Sequence, residues 1–195
     1  MHGLPPLNGH VEVAGRTDAA IMRDLVSAAG GEDFDAHWPE VCEAAVAAYG
    51  ELAPPDLADR VAPGVPELLE ALAARPDEFR LALVTGNLEP IAHLKLGRAG
   101  IGHYFERGQG GFGSDSESRP ELPAIARARA GDWPRERTVV IGDTPRDIAC
   151  ARADDVRVIA VATGPFAVEA LADADAVVDD ARSLLPVLNS WGQTP

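Results

Sequence analysis

The chain has no long apolar run, little cysteine and no excess of basic charge. No stretch of eighteen consecutive apolar residues occurs, which argues against a transmembrane helix. The first residues, MHGLPPLNGH, have neither a basic n-region nor an apolar core, so no secretory signal is expected. Cys42 and Cys150 each lie among alanines in an apparent helix, which favours two small core residues over a disulfide. A reducing, cytoplasmic setting is therefore expected.

The charge balance limits the choice of partners. The net charge is −14, from 31 acidic and 17 basic residues. Nucleic acids and anionic membranes are bound by basic surfaces, so neither is an expected partner. A small anionic substrate remains compatible, because a bound divalent metal can invert the local field. The apolar fraction of 46% is ordinary, and 195 residues predict one domain, or a core with a small insert. The oligomeric state is left open.

The first seventy-five residues are helical by pattern. Apolar residues recur there at spacings of three and four, as on one face of a helix. The three sets are Ile21, Met22, Leu25, Val26 and Ala29; Trp38, Val41, Cys42, Ala45, Val46 and Tyr49; and Val65, Leu68, Leu69 and Leu72. A boundary between this all-helical part and the rest of the chain is predicted near residues 58–64.

From residue 80 onward, short apolar runs alternate with helical segments. The predicted strands are Arg80–Val84, Thr138–Ile141, Val156–Val161 and Ala176–Val178, and the predicted helices are about Glu89–Ala99, Pro120–Ala130, Pro145–Ala153 and Leu184–Leu188. This alternation predicts an α/β fold with a Rossmann-like parallel sheet and helices on both faces. The glycine-rich run Gly108–Gly113 does not fit G-x-G-x-x-G and is predicted to be a flexible loop. The five histidines share no metal-ligand spacing, and surface roles are predicted for them.

Polar residues follow two of the predicted strands. Thr85-Gly86-Asn87 follows the first strand, and the segment Gly142–Asp147 (GDTPRD) follows the second. Ligands of an open parallel sheet bind beyond the carboxyl ends of its strands. Asp143 and Asp147 form an oxygen-only pair that suits Mg²⁺. The Thr85 hydroxyl and the N–H groups after it can hold phosphate oxygens at a helix start.

These two motifs, in this order, resemble those of the haloacid-dehalogenase superfamily. LALVTGN is similar to its second motif, an apolar strand ending in Thr or Ser, and VVIGDTPRD to its fourth, an apolar strand ending in an acidic pair. Arg119, before Pro120 in SESRPELPAIARA, is similar to the third motif, a Lys or Arg at a helix start. The segment GRTDAAIMRDL resembles the helical cap of the phosphoglycolate-phosphatase-like branch.

The resemblance implies a magnesium-dependent phosphatase that hydrolyses a small phosphorylated metabolite through an aspartyl-phosphate. It implies catalytic roles for Thr85, Arg119 and Asp147, phosphate binding by Thr85, Gly86, Asn87 and Arg119, and Mg²⁺ binding by Asp143 and Asp147. For Asp147 two roles are considered: holding the metal or its waters, or orienting Arg119. Residues 1–60 are expected to be a helical cap and residues 61–195 an α/β core. Thr163-Gly164-Pro165, after the third predicted strand, is expected to be a turn that lines the site.

One expected motif is missing. The family's first motif is a strand followed by Asp-x-Asp-x-Thr, whose first aspartate attacks the phosphoryl group. In this chain Asp-x-Asp occurs only at Asp33–Asp35, between two helices, and at Asp173–Asp175, before a weak strand. We therefore expect the first, central strand of the sheet to be absent from the chain as given. Without it the chain is expected to be inactive, as an N-terminally truncated enzyme or a non-catalytic remnant.

Each assignment has an alternative. Asp143 can simply end a strand, and Asp147 can lie on a solvated helix face. Thr85 can cap the next helix, Arg119 can be a surface arginine, and Asn87 can serve only the turn. The alternative functions are a phosphate- or metal-binding module without catalysis and a 2-haloacid dehalogenase. A dehalogenase needs no magnesium, so the acidic pair argues against it.

Overall fold

The structure, a computed structural model, describes residues 15–192. The first fourteen residues of the predicted cap and the last three of the predicted core lie outside this range. The helices are α1 (Asp18–Ala28), α2 (Trp38–Leu52), α3 (Val65–Ala73), α4 (Glu89–Arg98), α5 (Leu122–Arg129), α6 (Pro145–Ala153) and α7 (Leu184–Gly192). The strands are β1 (Leu83–Thr85), β2 (Gly110–Phe112), β3 (Val139–Gly142), β4 (Arg157–Val161) and β5 (Ala176–Val178).

The predicted helical character of the first part of the chain is confirmed from residue 15 onward. α1 begins where the Thr17 hydroxyl accepts a hydrogen bond from the N–H of Ala20, with Asp18 in its first turn. α2 ends at Leu52, just before Pro54, and α3 carries Pro66 in its first turn, where the missing N–H is not needed. No helix within residues 15–192 is long and apolar enough to cross a membrane.

The predicted α/β architecture with parallel strands is also confirmed. β3, β4 and β5 form a three-stranded parallel sheet with β4 in the middle. Val158 and Ala160 of β4 face an apolar cluster formed with α6, and Ile159 and Val161 face another formed with α3 and α7. Because side chains alternate along a strand, helices cover both faces of this sheet.

β1 and β2 form a separate parallel pair, with Leu83 opposite Gly110 and Thr85 opposite Phe112. Within the described residues, no ladder of hydrogen bonds joins β1 to β3. A cleft of about 500 Å³ lies between them, lined mainly by aliphatic side chains of the two strands and of α3 and α5. Ile141, inside β3, is 41% exposed, although strands of a parallel sheet are normally covered on both faces.

The prediction of a flexible loop at Gly108–Gly113 is wrong, because Gly110–Phe112 is β2 and is buried. The glycines there allow close packing: a Cβ on Gly111 would lie 2.1 Å from the backbone oxygen of Leu122 in α5. A surface role for His93 is also wrong, since the residue is 8% exposed and its ring centroid lies 5.9 Å from that of Phe112. Cys150 is buried, and both cysteines are free.

Candidate active site

The carboxyl ends of β1 and β3 lie at the same edge of the fold, beside the segment Gly15–Asp18. The N–H of Asp18 donates to the Gly86 oxygen at 2.6 Å, directly after β1. The Gly15 oxygen accepts from Nη1 of Arg119 at 3.1 Å, and Nη2 of the same guanidinium donates to Oδ1 of Asp147 at 2.5 Å. The predicted Thr85, Arg119 and acidic motifs therefore meet at one edge.

Asp147 is buried and fully engaged. Its Oδ2 accepts hydrogen bonds from the N–H of Thr144 at 3.0 Å, the Thr144 hydroxyl at 2.8 Å and the N–H of Asp143 at 3.2 Å. With the Thr144 hydroxyl accepting from the N–H of Asp147, these bonds form a capping box at the start of α6. Its Oδ1 faces Arg119. These contacts favour orientation of Arg119 over metal coordination, and the solvated-face alternative is wrong.

The carboxylate of Asp143, in contrast to that of Asp147, is not engaged by other residues of the described chain. It is half-buried, and no hydrogen bond or ion pair engages its carboxylate within residues 15–192. A Cβ on Gly164 would lie 2.5 Å from Oδ2 of Asp143, so a larger residue there would have to displace this carboxylate. Asp143 and Thr163 both line the cleft between β1 and β3, as predicted for the turn after β4. This carboxylate is thus open to a ligand at the carboxyl end of the cleft.

Arg119 is held in place rather than exposed. It lies at the start of a short 3₁₀ turn, Arg119–Glu121, that leads into α5, and its side chain is 18% exposed. Besides its bonds to Gly15 and Asp147, its Nε is buried and has no hydrogen-bond partner among the described residues. The surface-arginine alternative is therefore wrong. The guanidinium carries a fixed positive charge next to the strand ends.

Thr85 is half-buried at the end of β1. Its Oγ1 accepts from the N–H of Asn87 at 3.2 Å, which leaves the hydroxyl hydrogen available to another acceptor. The capping alternative is not observed: the residue before α4 is Leu88, whose N–H donates to Oδ2 of Asp18 at 2.8 Å. An acidic side chain from α1 thus serves the start of this helix.

Both ends of the Asn87 side-chain amide are hydrogen-bonded. Its Nδ2 donates to the Asp18 carboxylate at 3.2 and 3.3 Å, and its Oδ1 accepts from Nζ of Lys95 at 2.8 Å. These contacts favour the turn role over phosphate binding. Lys95, in α4, also lies 5.1 Å above the Tyr49 ring of α2, and burial lowers the pKa of its ammonium group.

Asp18 and Lys95 were missed by the sequence analysis. By sequence alone, Asp18 is an ordinary acidic residue in the first turn of a helix. Lys95 is an ordinary amphipathic side chain in the middle of a helix. The one available signal was compositional, since Lys95 is the single lysine of the chain. Their contacts tie α1, α2 and the turn after β1 together beside the site.

The described residues contain no group of three or more His, Cys, Asp or Glu side chains that could hold a metal. One open carboxylate, Asp143, still fits Mg²⁺, which binds through one or two carboxylates and keeps several waters.

Comparisons with known proteins find solved structures of the same fold. A hydrolase from Pseudomonas syringae is similar in structure, with a TM-score of 0.62 and 21% identity over 91% of this chain and 80% of its own. A putative beta-phosphoglucomutase from Bacteroides vulgatus has a TM-score of 0.60 and 19% identity over 92% of this chain and 73% of its own. No curated protein matches. The family model for haloacid dehalogenase-like hydrolases matches residues 7–152, well over half of the sequence, and the chain therefore belongs to the haloacid dehalogenase-like hydrolases.

Proposed function

We propose that this chain carries most of the active site of a magnesium-dependent phosphatase that acts on a small phosphate monoester through an aspartyl-phosphate. The observation that carries the proposal is the contrast between its two acidic residues. Asp147 is saturated by Arg119 and by the start of α6, whereas the carboxylate of Asp143 is open at the end of the cleft. The relative named as a putative beta-phosphoglucomutase supports phosphoryl chemistry for the fold.

In this proposal Asp143 holds the metal. Mg²⁺ bound there would supply positive charge against the phosphoryl oxygens of the substrate. The Thr85 hydroxyl donates to one phosphoryl oxygen, using the hydrogen that its contact with Asn87 leaves available. The charge of Arg119, whose orientation Asp147 maintains, neutralises part of the remaining negative charge.

The attacking carboxylate comes from outside residues 15–192. Its oxygen displaces the alcohol of the ester from phosphorus, and water then hydrolyses the aspartyl-phosphate to release inorganic phosphate. The helices α1 and α2 form the cap and select the substrate. α1 reaches the core through Arg23, which donates to Glu117 at 2.8 Å from its Nε and also bonds Asp35.

The test on this chain is metal binding, which does not require the attacking carboxylate. Mn²⁺, whose binding is followed by electron paramagnetic resonance, replaces Mg²⁺ as the probe, with Mg²⁺ as competitor. Asp143→Asn is expected to weaken Mn²⁺ binding at least about tenfold, because a neutral amide replaces the charged ligand. The control is Asp173→Asn, which changes an exposed aspartate outside the site and should leave affinity unchanged.

Binding of inorganic phosphate is measured next, by calorimetry in the presence of Mg²⁺. Thr85→Ala is expected to weaken it by a smaller factor than Asp143→Asn, because backbone N–H groups remain after β1. Wild-type Mn²⁺ affinity in Asp143→Asn would show that the metal assignment is wrong. Such a result would favour chemistry without magnesium, as in a dehalogenase.

A further inference from the structure

A second cavity lies beyond the amino ends of β3 and β4, whereas Asp143 follows the carboxyl end of β3. Its volume is about 880 Å³, and small-molecule sites usually measure roughly 300–1,000 Å³. It is lined by the first residues of the two strands and the loops before them, and by the carboxyl-terminal parts of α3 and α7. We call this cavity the amino-end pocket. It is large enough for a small molecule and is separate from the carboxyl-end site.

Two stacks of arginine on tryptophan line the amino-end pocket. The guanidinium carbon of Arg157 lies 4.7 Å from the centroid of the Trp191 ring, and that of Arg137 lies 5.0 Å from the Trp133 ring. Both indoles are half-buried and line the pocket, so part of each ring is open to it. Two of the three tryptophans of the chain therefore meet in one cavity. Indole faces stack readily on flat rings.

Three arginines of the pocket lack the partner that most others have. Most arginines within residues 15–192 form ion pairs with carboxylates. In the same range no ion pair involves Arg80, Arg137 or Arg157. Arg157 donates from Nη2 to the backbone oxygen of Glu136 at 3.1 Å, and Arg80 donates to two neutral oxygens. These three positive charges can therefore bind an anion without first breaking an ion pair.

The acidic residues of the pocket do not cancel its positive charge. Four arginines and three acidic residues line it, although the chain as a whole has a net charge of −14. Of the acidic residues, Glu78 accepts two hydrogen bonds from Arg75, and Asp77 and Glu136 are exposed to water, which screens their charge. The amino-end pocket thus carries a small excess of positive charge on a strongly acidic protein.

A ligand that uses both features has an anionic group and a flat ring. Guanidinium groups bind phosphate through paired, charge-assisted hydrogen bonds, and the indoles supply surfaces for a heteroaromatic ring. We propose that the amino-end pocket binds a mononucleotide, with its phosphate beside Arg137 and Arg157 and its base against the indole rings.

This inference does not rest on the proposed function. β3 has four residues and spans about 13 Å, so a nucleotide at its amino end is too far from Asp143 to be the substrate there. The nucleotide is therefore a ligand of a second site, and its binding needs no metal.

The test follows binding of AMP to the full chain by tryptophan fluorescence. In Trp38→Phe the remaining tryptophans are Trp133 and Trp191, both in the pocket. EDTA is present, so that no divalent metal can hold a phosphate at Asp143. We expect a saturable change of fluorescence with AMP. Adenosine, which lacks the phosphate, and inorganic phosphate, which lacks the ring, should each bind at least about tenfold more weakly.

Variants in the Trp38→Phe background locate the binding. Arg157→Gln keeps a polar side chain but removes its charge, and should weaken AMP binding at least about tenfold. Arg137→Gln should act in the same direction, and this arginine is exposed, so its replacement does not disturb the core. Arg107→Gln is the matched control, because Arg107 is exposed and lies outside the pocket lining. It should leave AMP affinity unchanged, as should Asp143→Asn.

Several results would overturn the proposal. They are the absence of a saturable change with AMP, equal affinity for AMP and adenosine, and equal effects of Arg157→Gln and Arg107→Gln. Equal affinity for AMP and inorganic phosphate would show that the rings take no part, and the assignment to nucleotides would be wrong. Loss of AMP binding in Asp143→Asn would place the nucleotide at the candidate active site instead. The metal assignment is tested separately by Mn²⁺ binding, so failure of one leaves the other standing.

Discussion

Asp143 and Asp147 are four residues apart and chemically identical, yet the structure predicts opposite effects of removing their charges. Asp147→Asn should reduce stability and leave metal binding nearly unchanged. Asp143→Asn should remove metal binding and change stability by less than about 0.5 kcal/mol, because no described group bonds its carboxylate.

The expected cost of Asp147→Asn comes from its four hydrogen bonds. If the asparagine oxygen keeps the contacts with Thr144, its amide group faces Arg119 and two donors oppose each other. The charge-assisted bond to Nη2 of Arg119, at 2.5 Å, is then lost, which costs about 1.5–3 kcal/mol. Among the described residues, the guanidinium, 18% exposed, then keeps the Gly15 oxygen as an acceptor but loses its charged partner. If the amide is flipped instead, the cap of α6 is lost, at about 0.5–2 kcal/mol. We expect a total of about 2–4 kcal/mol.

Urea unfolding followed by far-UV circular dichroism measures this cost, and Mn²⁺ titration measures the metal site in the same samples. For a chain of this size the loss corresponds to a fall in melting temperature of roughly 5–15 °C. Asp173→Asn serves as the matched control for both measurements. A cost below about 1 kcal/mol for Asp147→Asn, or stronger loss of Mn²⁺ binding in Asp147→Asn than in Asp143→Asn, would refute the assignment of their roles.

Two further predictions concern the scaffold. Asp154, 4% exposed, accepts two hydrogen bonds from Arg127, and Asp154→Asn should cost about 3–5 kcal/mol in urea unfolding. Arg127 holds the pKa of Asp154 below its ordinary value. This stabilisation is therefore complete above about pH 4 and is lost as the pH falls through the folded-state pKa. A free energy of unfolding that does not change at acidic pH would contradict this prediction. Gly111→Ala should destabilise the chain by at least about 1–3 kcal/mol in thermal melts, because its Cβ would meet the Leu122 backbone. Gly97→Ala should stabilise it by about 0.5–1 kcal/mol, because the space beside Gly97 in α4 is open. Equal effects of the two substitutions would refute the packing argument.

The fold class was predictable because hydrophobic period is a local property. The alternation of apolar runs and helical segments after residue 80 predicted four of the five strands within a few residues. β2 was not predicted, because its glycines carry no apolar signal. They are explained by tertiary contacts, with Leu83 of β1 beside Gly110 and Leu122 of α5 beside Gly111. His93 was misjudged for the same reason, since its burial depends on Phe112 of β2.

The site was predictable as a set of residues, but not in the role of each. Strand ends followed by polar residues identified Thr85, Asp143 and Asp147. Which carboxylate is open depends on a tertiary contact, because Arg119 reaches Asp147 across 28 positions of sequence. The Asn87 side chain is bound by Asp18, 69 positions away in the sequence, and no local sequence pattern predicts this contact.

The contact between the segment Gly15–Asp18 and the turn after β1 affects how mutational data on this chain should be read. A Cβ on Gly86 would lie 2.2 Å from the Arg16 oxygen, and one on Gly113 would lie 1.9 Å from the Gly86 oxygen. In a saturation mutagenesis screen, almost every substitution of these two glycines would be harmful. Their scores would then resemble those of residues that contact substrate. Their intolerance would come from three backbone segments stacked without room for a methyl group. A tolerance map of this protein therefore marks the contact between the segment Gly15–Asp18 and the turns after β1 and β2 as strongly as the chemistry beside it.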